Sequence, residues 1–498
     1  MSRADDAAPL VAPDARALIA VDLGAESCRV SLLRWMNGCP TVSLIHRFAN
    51  GARQAGEHLQ WDLAAIVAGV EAGVRRAAGV ATEGIAAIAV DGWAVDYVRL
   101  DAAGLPLGDP FCYRDERTLP SETALHKRIS AERMRDLTGV QILRINTIYQ
   151  QFADRQMELP EGELWLNLPE YLMHRWGGRP VAEYTNATHT QMVEIGRMRW
   201  CEEILQAAGL SMRCAARLVP PGTVLGRLIG PLAQLTGLSD VQLIAPACHD
   251  TASAVAGIPA HGDDWAYISS GTWSLVGTSL DRPLSGRDVA QHNFTNLAGA
   301  GGRFCFHRNV NGMWLLRQCM EAWSEAGQPW QIAELIRLAE TVAAPDGLLN
   351  VDDPELWLAG EMPTRLNRLR REAGLPALDE SSSGAPAIAS LIFHSLAARY
   401  AEVLQQIEAH SGRTLQRLFL VGGGSQNTLL NRLTAEATGL KVIRGAPESS
   451  TLGNFAVQLA TLEGWRSDQS GADVERVAAW AGLLISVVHP ELSMTEVE

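Results

Sequence analysis

Short apolar runs that end at glycine-containing turns recur along the chain. Ala17-Leu18-Ile19-Ala20-Val21 leads into Asp22-Leu23-Gly24-Ala25, and residues 29–35 follow as a second apolar run. This pattern predicts two strands joined by a tight turn. A Rossmann unit would place a helix directly after its glycine turn, so the opening of the chain argues against that fold.

The same pattern appears again near the middle of the chain. Residues 265–270 form an apolar run, Gly271-Thr272 forms a turn, and residues 273–278 form a second run. The recurrence predicts two similar α/β domains, each of which offers a glycine hairpin to a shared cleft. The predicted division is a disordered lead-in over 1–16, domains over 17–258 and 259–480, and a tail over 481–498.

Apolar spacing predicts further elements between and after the two hairpins. The predicted helices cover 62–80 and 386–410, residues 118–175 are predicted as mostly helical, and the predicted strands cover 85–90, 242–246 and 418–421. A polar loop over 183–188 and a charged surface excursion over 355–385 complete the prediction.

Composition narrows the class of protein. The 498 residues are 47% hydrophobic and 20% charged, which is typical of a soluble enzyme. A net charge of −14 argues against nucleic acid and against an anionic membrane as partners.

The eight cysteines are scattered, without Cys-x-x-Cys or metal-ligand spacing, which favours a reducing compartment. Residues 1–17 lack the apolar core of a signal peptide, and no apolar stretch is expected to reach the length of a membrane span, so we expect a cytoplasmic protein.

The stretch Cys248-His249-Asp250-Thr251 is the first candidate for chemistry. It follows the predicted buried strand 242–246. A carboxylate at such a strand end can act as a general base when a substrate hydroxyl is held against it. Asp250 could equally cap the helix that follows, and the sequence alone leaves both interpretations open.

Three glycine turns are candidates for binding phosphate. Asp22-Leu23-Gly24 offers a carboxylate for Mg²⁺ and N–H groups for phosphate oxygens, while Ser270-Gly271-Thr272 offers hydroxyls and N–H groups. Gly422-Gly423-Gly424 follows an apolar strand and would let the backbone approach a ligand closely. The chain has no P-loop string, and each turn could also be an ordinary connection.

The order of these stretches resembles the FGGY family of sugar kinases. The resemblance covers about residues 17–465 and is most specific for the rhamnulokinase branch of the family. The stretches that carry it at that level include Tyr113-Arg114-Asp115, Glu183-Tyr184-Thr185-Asn186-Ala187-Thr188 and Ser450-Thr451-Leu452-Gly453-Asn454.

The resemblance implies an α/β fold of two actin-like (ribonuclease H-like) domains, with ATP, Mg²⁺ and a sugar in the cleft between them. It implies that Asp250 is the catalytic base and that Asp22 serves Mg²⁺. The remaining implied contacts are Ala25, Glu26, Ser27, Cys28, Arg29, Thr272, Arg317 and Gly423 for ATP, and Ala94, His249, Asp250, Thr251 and Asn309 for the sugar.

The implied reaction is phosphorylation of the 1-hydroxyl of L-rhamnulose in L-rhamnose catabolism, by a monomer or homodimer whose partner is a small ketose. Three positions depart from the family pattern: Glu26 and Cys28 replace Ser and Gly, and Ala94 replaces Gly. These departures leave three alternatives: a kinase for another ketose such as L-fuculose, a non-catalytic actin-like regulator that binds nucleotide, or an inactive sugar sensor.

Overall fold

The computed structural model describes residues 10–238, 240–464, 466–467 and 471–492. Its strands are β1 Ala17–Leu23, β2 Ser27–Met36, β3 Cys39–Ala49, β4 Ala52–Ala55, β5 His58–Trp61, β6 Ile85–Gly92, β7 Tyr97–Leu100, β8 Leu164–Asn167, β9 Val181–Glu183, β10 Arg217–Val219, β11 Thr223–Arg227, β12 Gln242–Ala245, β13 Trp265–Ser270, β14 Trp273–Leu280, β15 Thr295–Ala298, β16 Phe304–Asn311, β17 Arg417–Val421, β18 Lys441–Arg444, β19 Arg466–Ser467 and β20 Gly471–Ala472. Its α-helices are α1 Leu63–Val80, α2 Thr118–Leu125, α3 Ala131–Thr138, α4 Thr147–Gln156, α5 Leu168–Arg175, α6 Tyr184–Thr188, α7 Glu202–Ala208, α8 Gly230–Thr236, α9 Asp250–Ala256, α10 Arg287–Gln291, α11 Trp314–Glu325, α12 Ile332–Ala339, α13 Met362–Glu372, α14 Ala385–Ser411, α15 Thr428–Thr438, α16 Ser449–Leu462 and α17 Val474–Val488.

The chain forms two compact units, neither of which is continuous in sequence. The first contains the described residues up to His261, together with Leu280–Cys305 and Ser449–Pro490, and the second contains Gly262–Ser279 and Phe306–Glu448 with the last described residues. The domain bounds 17–258 and 259–480 assume continuous segments and stay a prediction. The predicted tail from 481 begins inside α17, and most of the predicted lead-in, residues 1–9, lies outside the described residues.

The first unit is built on a mixed sheet with the order β11-β12-β6-β1-β2-β3. β1 pairs with β2 as the predicted antiparallel hairpin, and it pairs in parallel with β6, which in turn pairs in parallel with β12. Every residue of β1 and β6 is buried. Burial on both faces explains why these two strands are continuous apolar runs rather than alternating ones.

The second unit repeats this arrangement, as the recurring sequence pattern predicts. Its sheet contains the neighbouring strands β16-β14-β13-β17-β18. β13 pairs with β14 as an antiparallel hairpin and with β17 in parallel, and β17 pairs in parallel with β18. Hairpin and parallel strands therefore occupy equivalent positions in the two sheets.

The long helix predicted over 386–410 is confirmed as α14. Among the described residues, one helical stretch, Ser382–Ser411, is long and apolar enough to cross a membrane by length and composition, so the expectation that no stretch reaches that length was wrong. Its most apolar window is 72% buried inside the protein. It has the burial of a helix that crosses a protein core.

Tertiary contacts stabilise regular structure in two segments for which none was predicted. The predicted loop over 183–188 was wrong, and the surface excursion over 355–385, much of it exposed, contains a helix. Residues 183–188 end β9 and form the short helix α6, which is buried throughout and capped by the Glu183 carboxylate at the N–H of Thr185. Within 355–385 lies α13, where Arg370 is 1% exposed and donates to the carbonyl of Pro376 and to Asp346. Charged residues thus form part of a packed helix.

The close approach of α9 and α16 in the first unit requires glycine. A Cβ placed on Gly453 would overlap the carbonyl oxygen of Ser253. We expect Gly453→Ala to lower the free energy of unfolding by about 1–3 kcal/mol, because the two helices must move apart. The measurement is the denaturation midpoint against wild type.

Gly79 provides the matched control for this substitution. It lies near the end of α1, and a methyl group added to it would have no other atom within 4 Å. Gly79→Ala should therefore leave the protein as stable as before or slightly more so. Equal midpoints for the two variants would contradict the close approach of α9 and α16.

Candidate active site

Three aspartates converge at one edge of the first unit's sheet. Asp22 and Asp91 are paired in register near the carboxyl ends of β1 and β6. The N–H of Gly92 donates to the carbonyl of Cys248 at 2.9 Å, which brings the segment after β12 to the same edge. Asp250 follows two residues later, so the carboxyl ends of three parallel strands present acidic side chains, the usual place for a site in an α/β sheet.

Asp250 is the first residue of α9 and is held on both sides by polar neighbours. Its Oδ1 lies 3.2 Å from Nε2 of His249 and accepts from the Thr251 hydroxyl at 3.3 Å. His249, not Asp250, occupies the N-cap position, so the interpretation of Asp250 as a helix cap was wrong. Burial, and then the charge of Asp22, raise the pKa of Asp250 to about 7, although 38% of its side chain remains exposed.

Asp22 is buried and bound by two donors. Arg29 forms an ion pair with Asp22 at 3.1 Å, and the Ser450 hydroxyl donates to the same carboxylate oxygen at 2.9 Å. No group of three or more acidic, histidine or cysteine residues suited to a metal occurs among the described residues. A carboxylate beside a turn predicted to bind phosphate still fits Mg²⁺, which commonly takes one or two carboxylates and fills its other positions with water and substrate phosphates.

Asp91 is a functional candidate that the sequence analysis did not assign. It is 0% exposed, and it accepts from the Asn454 amide at 2.6 Å and more distantly from the Ser253 hydroxyl. Burial and the charge of Asp22 raise its pKa well above the usual value. A protonated Asp91 avoids three like charges at one edge, and its position after the apolar run 85–90 was the signal available in the sequence.

The turn between β1 and β2 carries the residues predicted to contact phosphate. A Cβ on Gly24 would overlap the carbonyl oxygen of Ser27, so this turn needs glycine. Glu26 is exposed, whereas Cys28 is fully buried and its pKa is raised to about 12 by burial. The Cys28 side chain therefore belongs to the core, and Cys28 pairs with Leu23 of β1 on one side and with Phe48 of β3 on the other. Ala25 and Ser27 are half-buried.

The sequence analysis also missed a network of hydrogen bonds that supports His249. His189 Nε2 lies 3.1 Å from His249 Nδ1, and the N–H of His249 donates to the Thr185 hydroxyl at 3.2 Å. Glu183 accepts from the N–H of Cys248 at 2.8 Å, and burial raises its pKa to about 7. The stretch 183–188, which carries part of the family resemblance, thus supports the segment that contains His249 and Asp250.

Ala94 lies in the turn that follows β6. The turn begins at the sheet edge that carries Asp22, Asp91 and Asp250, called the acidic edge below. The N–H of Trp93 donates to the carbonyl of Leu23 at 3.1 Å. Ala94 is 7% exposed. The predicted sugar contact is therefore placed in the same unit as Asp250, at the same edge of the sheet.

In the second unit, Thr272 lies in the hairpin between β13 and β14. The carbonyl of Thr272 accepts from the N–H of Trp314 at 3.2 Å, and that of Gly271 accepts from Met313 at 3.0 Å, so the start of α11 holds the hairpin. Arg317 follows one turn later in α11, with its guanidinium 5.1 Å from the Trp314 ring centroid. Asn309 lies on β16, shortly before this helix.

The glycine turn after β17 packs against the same hairpin. A Cβ on Gly422, whose φ is +81°, would lie 2.8 Å from the Ser270 carbonyl oxygen, and one on Gly424 would overlap the Ser270 hydroxyl. Gly423, by contrast, faces open space. The glycine turn that contains Gly423 thus packs against Ser270, close in sequence to Thr272, and Gly423 has open space beside it, so two of the three ATP contacts predicted in this unit lie near Ser270.

Comparison with solved structures confirms the fold class. The chain superimposes on a ligand-bound xylulose kinase from Lactobacillus acidophilus with a TM-score of 0.75 at 16% identity, covering 95% of this chain and 96% of the other. A glycerol kinase from Plasmodium falciparum with ADP gives 0.72 at 13% identity over 93% and 92% of the two chains. The fold is that of two-domain, actin-like sugar kinases.

Sequence comparison then identifies the family. The N-terminal and C-terminal domains of the FGGY family of carbohydrate kinases match residues 17–257 and 266–462. A rhamnulokinase from Bacteroides thetaiotaomicron is 36% identical over 91% of this chain and 92% of its own, and one from Enterococcus faecalis is 37% identical over 89% of each. The chain belongs to the FGGY family of carbohydrate kinases, so ATP is its phosphoryl donor and a small sugar-class molecule its acceptor.

Proposed function

We propose that the protein transfers the γ-phosphoryl group of ATP to the 1-hydroxyl of L-rhamnulose, giving L-rhamnulose 1-phosphate and ADP in L-rhamnose catabolism. The observation that carries the proposal is Asp250, a partly exposed carboxylate with a pKa of about 7 at the acidic edge. The choice of L-rhamnulose rests on the two rhamnulokinase relatives.

The chemistry follows from where Asp250 lies. A base works best when its pKa is near the working pH, and Asp250 would accept the hydroxyl proton as the sugar oxygen attacks the γ-phosphorus. Phosphoryl transfer otherwise needs positioning and charge stabilisation. Asp22 is the residue that would hold Mg²⁺, whose charge, when it is bound, offsets the negative charge on the phosphate oxygens.

The other contacts divide between ATP and the sugar. Ala25 and Glu26, in the turn between β1 and β2, would offer main-chain N–H groups to phosphate, with the exposed Glu26 side chain away from it and with Ser27, Cys28 and Arg29 beside the ligand at the start of β2. The remaining proposed contacts are Thr272, Arg317 and Gly423 for ATP, and Ala94, His249, Thr251 and Asn309 for the sugar. The net charge of −14 argues against nucleic-acid and membrane partners, and the scattered cysteines support a reducing, cytoplasmic setting. We propose a monomer or homodimer.

An ADP-release assay over a panel of ketoses, with excess Mg²⁺, tests the proposal. We expect the highest kcat/KM for L-rhamnulose, and phosphorus coupling to the C1 methylene in the NMR spectrum of the product. Higher kcat/KM for L-fuculose would overturn the substrate and keep the kinase chemistry. ATP binding without turnover of any ketose would favour the regulator, and sugar binding without turnover the sensor.

Asp250→Asn keeps the shape of the side chain and removes the base. We expect kcat to fall about 10²–10⁴-fold with the affinity for ATP nearly unchanged. Glu83→Gln is the matched control, since it removes a carboxylate that pairs with Arg34 at 2.6 Å and contacts none of the site residues named above. Near-normal turnover in purified Asp250→Asn would exclude Asp250 as the base.

Ala94→Gly tests whether this turn selects the sugar. A misfit methyl in a close-fitting pocket changes specificity by about 10–200-fold, which is enough to alter the preferred ketose without abolishing the reaction. We expect the ratio of kcat/KM for L-rhamnulose to that for L-fuculose to change while the KM of ATP stays constant. An unchanged ratio would show that Ala94 does not contact the sugar.

A further inference from the structure

Asp96 is a fully buried carboxylate surrounded by N–H donors. Its Oδ2 accepts from the indole of Trp61 at 2.6 Å, the indole of Trp93 at 3.0 Å and the N–H of Tyr113 at 3.2 Å. Its Oδ1 accepts from the Gln150 amide at 2.9 Å. Four donors on two oxygens suit an ionised carboxylate, which accepts at both oxygens and has no proton of its own to place.

This carboxylate lies next to a strained turn. Val95 has a φ of +73°, a left-handed conformation that a β-branched side chain adopts only when its surroundings impose it. Its carbonyl accepts from the Thr147 hydroxyl at 2.7 Å and from the Gln150 amide at 3.3 Å. Gln150 therefore bonds both Asp96 and Val95, and Asp96 also fixes the indole of Trp93 at the other end of the turn.

The turn over 93–95 begins at the candidate active site. On one side the N–H of Gly92 donates to Cys248, the residue before His249, and on the other the N–H of Trp93 donates to Leu23, the residue after Asp22. Asp96 is 0% exposed, so it cannot touch a substrate itself. It can act on a substrate only through the turn that it holds.

We infer that Asp96 is a positioning residue that sets the affinity of this kinase for its sugar, because its four hydrogen bonds hold the turn over 93–95 in a strained shape beside Asp22 and the segment before His249. The inference rests on the proposed function, and it assigns part of the sugar affinity to a residue outside the sugar site. Its consequence is that weakening the Asp96 bonds changes recognition of the sugar and leaves recognition of ATP unchanged.

Asp96→Asn is the first test. An amide at this position presents its own N–H groups to at least one of the four donors, so the turn loses part of its support. We expect the KM of the ketose to rise about 10–100-fold, with a smaller change in kcat and the KM of ATP within about twofold. Trp93→Phe keeps an aromatic side chain, of smaller size, and removes the indole N–H, and we expect a rise of about 3–10-fold.

Asp115→Asn is the matched control. Asp115 is 3% exposed and accepts from the N–H groups of Leu59 at 2.6 Å and Arg117 at 3.0 Å, but it makes no hydrogen bond to the turn over 93–95. We expect the variant to be less stable than wild type, with the KM of the ketose within about twofold of wild type.

The double variant Asp96→Asn with Val95→Gly distinguishes positioning from general stability. Glycine adopts a positive φ without strain, so the turn would need less support from Asp96. We expect the added Val95→Gly to restore at least part of the lost ketose affinity. A role limited to stability would leave the KM of the ketose unrestored.

Three results would overturn the inference. The first is an unchanged KM of the ketose in folded Asp96→Asn, and the second is an equal rise in the KM of the ketose and of ATP in that variant. The third applies if Asp96→Asn does not fold, and it is an unchanged KM of the ketose in Trp93→Phe. Wild-type protein that phosphorylates no ketose would overturn the proposed function and this role together. That outcome is measured on the wild-type protein alone, so a failure of the proposed function is distinguishable from a failure of the role proposed for Asp96.

Discussion

The crowding of three carboxylates at one sheet edge is the constraint on which the rest of the site depends. Asp22, Asp91 and Asp250 lie at the carboxyl ends of parallel strands, where burial, and then the charge of Asp22, raise the pKa of the other two. Such an arrangement is stable only if some of the charge is neutralised or bound. Arg29 and Ser450 bind Asp22, and Asn454 binds Asp91, so α16 supplies a hydrogen-bond donor to each of these two carboxylates.

The closeness of these carboxylates also affects the chemistry that Asp250 can perform. The charge of Asp22 helps to raise the pKa of Asp250 to about 7, which makes an aspartate a useful base near neutral pH. Burial of Asp91 and Asp96 behind the edge costs free energy, and their hydrogen bonds offset that cost. Asp96 and its hydrogen bonds support the turn over 93–95, whereas burial and the charge of Asp22 act on the pKa of Asp250.

Local patterns predicted the hairpin at β1 and β2, the helix α14 and the placement of Asp22 and Asp250, because each depends on neighbours in sequence. The missed features depend on distant neighbours. Asp91 meets Asn454 across 363 positions, and two segments return to the first unit after the second has begun. The cap that Glu183 places on α6 is local, but the burial of the whole helix depends on the rest of the protein, and the polar sequence of 183–188 gave no sign of that burial.

The most direct test of the central claim is the pH dependence of kcat/KM for the ketose at saturating ATP and Mg²⁺. Because the base must be ionised, kcat/KM should rise with pH to an apparent pKa near 7 and then level off. The residual activity of Asp250→Asn should lack this acidic limb. A wild-type profile that stays flat down to about pH 5, as an aspartate of ordinary pKa would give, would contradict the account.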